Sequence, residues 1–267
     1  MPGEIVEAAG AAATAVYVLK QLFGPSLDAI GKDIDRQRAI GWQKIVDRAT
    51  AKTPSLEDGK AANLRVARDV LWNGAFTDDE ICAEYFGGIL AACRSEDGND
   101  DSAMQFVDCI KGMSSKQLHL HYVIYRSLQN MLIGDGKQIN PGQEAELLAV
   151  PICFQTVELM QLGINPPVDL TVLHRQGLIR SWQTASQQHA DGKHGIHFCT
   201  VTATTFGVIL YAIAMNRLSD WANLTVAAFE GNDAIQTPKH YAYNPGKLLE
   251  LMMARAQSLQ DSDERGG

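Results

Sequence analysis

The fold turns on "NPPVDLTVLHRQGLIRSW", residues 165–182. Asn165 with its two prolines reads as a turn, a short helix over Asp169–Gln176 follows, and Gly177 ends it. Leu178 and Ile179 then open a strand. After Trp182 comes "QTASQQHADGKHG", residues 183–195, a polar loop. "IHFCTVT", residues 196–202, has the β-branched and aromatic content of a returning strand, and a helix over Thr205–Leu218 closes the series.

Helix, strand, polar loop, strand, helix is the layout of a winged helix, and a two-stranded hairpin packed on helices fits it equally. Upstream, "GDGKQINPG", residues 134–142, gathers glycines and a proline between periodic segments and reads as a linker. Glu144–Leu162 is apolar, interrupted by Pro151 and helical after it. The expected class is therefore mainly α. A multi-helical domain spans residues 1–133, and a winged-helix-like α/β hairpin unit spans 143–267 and includes a terminal helix, Pro245–Gln257.

The first domain is read from helix punctuation. Ile5, Ala9, Ala12, Val16, Leu19 and Phe23 alternate in steps of four and three, the seam of a closely packed helix. Gly24 and Pro25 stop it, and Ser26 can cap the next helix, which buries Leu27, Ile30, Ile34, Trp42, Ile45, Val46 and Ala49. Cap signals at Ser55, Thr77 and Ser114 predict helices over Ser55–Asn73, Thr77–Arg94 and Ser114–Leu132, with another over Asp101–Lys111. "SEDGNDD", residues 95–101, lacks the ligand spacing of a calcium loop and reads as a solvated turn.

Composition narrows the function classes. The 267 residues carry a net charge of -8, against the dense basic face that counterion release demands of a non-specific nucleic-acid binder. Five widely spaced cysteines without a C-x-x-C pair read as reduced thiols of a cytoplasmic protein. Glu4 and Glu7 stand where an export signal carries Lys or Arg, and the uncharged run Ala8–Leu19 falls short of the ~20 residues of a membrane span.

"LKQLFGPSLDAIGKDI", "DDEICAEYFGGILAACRS" and "SSKQLHLHYVIYRSL" resemble the helical core of the abortive-infection alpha (Abi-alpha) family and its bacterial relatives, over residues 3–132. The shared marks are the Gly-Pro helix break, an aromatic-Gly-Gly helix and a capped apolar helix. Gly87 and Gly88 stand where the family's main branch carries bulkier residues. The resemblance implies a role in bacterial phage defence and carries over no catalytic residue.

The residues themselves offer no catalytic set. The Arg-then-His spacing of helical defence ribonucleases is absent, as are a G-x-S-x-G elbow and a phosphate-cradling glycine loop. His119 and His121 are two apart and face different sides of a helix. His189, His194, His197 and Cys199 are acceptable zinc ligands gathered in one loop and strand, although solvated histidines are the plainer reading. Arg175, Arg180 and Lys193 are the candidate phosphate or base contacts of the hairpin unit. Trp182, Leu248, Leu249, Met252 and Met253 are expected to form an adaptable apolar interaction face.

The function expected is that of a non-enzymatic phage-defence protein without cofactor, a homo-oligomer acting through protein contacts with a phage or host protein. A DNA-binding regulator and a metal-dependent enzyme built on the hairpin histidines are the alternatives.

Overall fold

The structure, a computed structural model, describes residues 27–74, 79–188, 195–225, 229, 232 and 234–254, with the backbone alone for residues 27–38. The seam over residues 5–23, the Gly24-Pro25-Ser26 break and Thr77 lie outside the described residues.

The first half is helical. Helix α1 spans Leu27–Lys52, a two-residue strand β1 spans Ala61–Ala62, α2 spans Leu64–Gly74 and α3 spans Glu80–Ala92. Strand β2, Arg94–Ser95, pairs antiparallel with β1, and α4 (Met104–Lys111) and α5 (Ser115–Gly134) follow. Ser114 starts α5 with the expected capping box: its hydroxyl accepts the Gln117 N–H, and the Gln117 amide oxygen accepts the Ser114 N–H. The expected Ser55–Asn73 helix begins only at Leu64, because Asn63, through its side-chain oxygen, caps the N–H groups of Arg65 and Val66.

Helix α3 is buried on nearly every side, and its two glycines make that possible. A Cβ on Gly87 would sit 2.6 Å from the Arg48 Cβ and 2.9 Å from the Ile45 carbonyl oxygen, so α1 packs against this side through Ile45 and Ala49. Trp42 and Val46, expected in that buried stripe, are instead partly exposed at 38% and 41%. Polar groups flank the contact. Lys44 and Arg48 reach Glu80, and Lys52 reaches the buried Glu84 at 2.6 Å while also donating to the Ala214 carbonyl at 2.6 Å.

The second half corrects the expected class. After α6 (Glu144–Leu148), Ile152–Gln155 forms a strand, β3, where a helix was expected. Helices α7 (Thr156–Gln161) and α8 (Pro166–Arg175) lead to the hairpin of β4 (Ile179–Gln188) and β5 (Gly195–Ala203); α9 (Thr205–Ala214) and β6 (Tyr241–Ala242) follow. The strands form one antiparallel sheet in the order β4-β5-β3-β6, so with the separate β1-β2 pair the chain is a mixed α/β fold and not mainly α. A short apolar run after a proline suits helix or strand alike, and here "ICF" is buried as strand between β5 and β6.

A helix over residues 245–254, α10, packs Leu248 and Leu249 against Cys153, Ile196, Phe198 and Ala242. The main apolar cluster includes residues from Ile45 to Ile235, on both sides of the glycine-rich stretch 134–142. Helix α5 lies at its centre with Tyr122, Tyr125 and His121 buried. Among the described residues, no helix is long and apolar enough to cross a membrane.

Candidate functional site

The hairpin and its surroundings hold most of the residues singled out from sequence. Its base is clamped from within: the Tyr125 hydroxyl donates to the Leu178 carbonyl, just before β4, and accepts the Thr204 N–H at 3.1 Å, just after β5. Strand β3 backs β5 only from Phe198 to Val201, so Ser186–Gln188 and Gly195–His197 continue as a two-stranded ribbon.

Of the four expected metal ligands, the described residues include His197 and Cys199, both on β5. Cys199 is fully buried in the main core, where burial pushes its thiol up to about 12. His197 is exposed, and its Nδ1 lies 2.7 Å from the hydroxyl of Ser186 on the paired strand. His189 and His194 lie outside the described residues, and the described residues contain no cluster of three metal-ligating side chains.

The expected nucleic-acid contacts are also thin. Arg175 ends α8 in an exposed position, Lys193 lies outside the described residues, and Arg180 pairs with Glu144 at 3.0 Å. The exposed positions of α8 are Pro167, Val168, Thr171, His174 and Arg175, with one permanent charge among them. Asp169 is buried, its carboxylate accepting the Asn165 N–H at 2.8 Å and the Gln117 side-chain amide at 3.3 Å.

The expected apolar interaction face is already occupied within the chain. Leu248 and Leu249 are buried, Met252 and Met253 pack against the same small cluster, and half-buried Trp182 packs on the main core. The four α10 residues thus cover the Ile196–Phe198 side of the hairpin, and Trp182 belongs to the main core instead.

A cleft of about 420 Å³ opens between the starts of α3 and α5, the end of α7 and residues 234–236. Asp79, Glu80, Lys116, His119 and Gln161 line it. Its charged groups are engaged by the chain itself: Lys116 donates to the Leu162 carbonyl at 3.2 Å, and His119 Nε2 meets the Gln236 carbonyl at 2.6 Å. Burial holds the His119 pKa below its ordinary value. Pairing with Arg48 and Lys44 holds Glu80 below the usual carboxylate range.

What the sequence reading missed is the outer edge of β4. Residues 183–188, polar and loop-like in composition, continue a ten-residue strand. From Ser181 to Gln188 the strand carries no ionisable side chain, and every residue but Trp182 and Gln187 is exposed. One side of β4 pairs with β5; no described strand occupies the other. Sheet edges are ordinarily blunted by Lys, Pro or bulges; here the one irregularity, between Ile179 and Ser181, falls at the base. The edge thus offers a row of main-chain donors and acceptors to an added strand. No family model matches the chain, and no curated protein and no solved structure matches it either.

Proposed function

We propose that this chain is a non-enzymatic interaction protein that binds another protein strand along the outer edge of β4. The observation that carries this reading is the long, exposed and uncharged edge itself. Main-chain pairing gives affinity in this mode of recognition, and side chains alternating across the added strand give selectivity. The likeness of residues 3–132 to the Abi-alpha family supports phage defence as the setting in which such binding operates.

The test is phage plating on bacteria expressing the full chain, compared with bacteria expressing Ser186→Pro at equal protein level. Protection that disappears with Ser186→Pro supports the reading. Equal protection by both proteins, or no protection by either, counts against it. Tight duplex-DNA binding that weakens steeply with salt would instead favour a regulator acting through Arg175 and its neighbours.

A further inference from the structure

We propose that the strand taken up by β4 is β4 of a second copy of this chain, paired antiparallel so that two four-stranded sheets become one of eight. This deepens the interaction reading above and rests on it.

Electrostatics favours a second copy. A chain of net charge -8 repels its own kind over most approaches, but Ser181–Gln188 brings no charge to the contact. The strand is also self-complementary in chemistry. Ser181, Gln183, Thr184, Ser186, Gln187 and Gln188 each carry both donor and acceptor atoms, so the same residues serve either side of the pair. The other edge of the sheet is the two-residue β6, too short for such pairing.

Symmetry restricts the register. In an antiparallel pair, opposite residues alternate between hydrogen-bonded and non-hydrogen-bonded sites. A two-fold axis placed between two residues would make adjacent sites equivalent, which that alternation forbids. The axis must therefore pass through one residue facing its own copy. For the run Ser181–Gln188 the central residues are Thr184 and Ala185, so one of these two meets its counterpart. A single strand pair is smaller than a standard interface and gives a weak, concentration-dependent dimer.

Sedimentation of the full chain across the micromolar range tests this, alongside Ala185→Lys and the single variants Thr184→Cys and Ala185→Cys. The five native cysteines are buried, so an added thiol on the exposed edge is the one available for oxidative cross-linking. The expected result is a monomer–dimer equilibrium that Ala185→Lys weakens about tenfold or more without changing the melting temperature, because the two added charges then lie directly opposite (axis at Ala185) or diagonally across the strand pair (axis at Thr184). One of the two cysteine variants should cross-link to a covalent dimer. A monomer at every concentration overturns the proposal, as does a dimer indifferent to Ala185→Lys or a failure of both cysteines to cross-link. A monomer whose hairpin still captures a different protein overturns self-pairing and leaves the interaction reading standing. A dimer weakened by Ala185→Lys in a protein that gives no phage protection supports self-pairing and removes the functional reading.

Discussion

A methyl group on Gly88 would overlap the carbonyl of Ala214, so α3 and the end of α9 meet backbone to backbone. Gly88→Ala should therefore force the helices apart and lower stability by about 1–3 kcal/mol, the range for overpacking a tight core. Gly134, the last residue of α5, has nothing near its absent side chain. Gly134→Ala should be neutral or stabilising by up to ~1 kcal/mol. Urea denaturation of the two variants checks the contrast; equal effects would mean that the close contact does not exist.

Lys52 and Glu84 form the most shielded ion pair described, with side-chain exposures of 14% and 3%. Glu84 also accepts from the Asn232 amide at 2.9 Å. Glu84→Gln removes the carboxylate and leaves the Lys52 ammonium facing only carbonyl and amide groups. A loss of about 3 kcal/mol is expected, in the range for breaking one side of a buried pair. The double variant Lys52→Met with Glu84→Gln should recover part of it, and thermal melts of the three proteins decide.

Helices were the legible part of this fold. The Ser114–Gln117 box marked the start of α5 because a cap is a local contact between residues three apart. Strand β3 was not legible, since "ICF" is buried only because β5 and β6, far along the chain, flank it. The outer edge of β4 was hidden for a related reason: Ser, Gln and Ala have weak strand preference, and it is β5 that holds them extended. The expected face joined Trp182 to Leu248, Leu249, Met252 and Met253; the last four share one cluster while Trp182 packs on the main core, and amphipathicity alone does not distinguish a face turned to a partner from one turned to the chain's own sheet.

Tyr125 holds both ends of the hairpin at its base. Tyr125→Phe keeps the ring and leaves the Leu178 carbonyl and the Thr204 N–H without that partner. A loss of about 1–3 kcal/mol is expected, the cost of unsatisfied buried groups. Hydrogen exchange should accelerate at the Thr204 N–H more than in α3; uniform acceleration would show that the hydroxyl has no local role.

His121 is fully buried with Nδ1 2.5 Å from the Tyr85 hydroxyl, and burial pushes its pKa down from 6.5 to about 3. The unfolded chain thus takes up a proton near pH 6.5 that the folded chain refuses until near pH 3. Stability present above the upper value is lost as pH falls through this window, at about 1.4 kcal/mol per pH unit. His121→Gln lacks this titration, so its stability should fall less steeply between these limits. Parallel slopes for the two proteins in denaturant titrations would exclude His121 as the source.

The back of the hairpin is closed by α10, whose Leu248 and Leu249 lie on Ile196 and Phe198. During synthesis the ribosome releases Phe198 some fifty residues before it releases Leu248, a gap read directly from the numbering. For several seconds, at ~5–20 residues per second, the nascent sheet carries an uncovered apolar face beside an unpaired strand edge. Nascent chains crowded on one message would meet in that state, which makes translation rate a determinant of how much of this protein reaches its folded form.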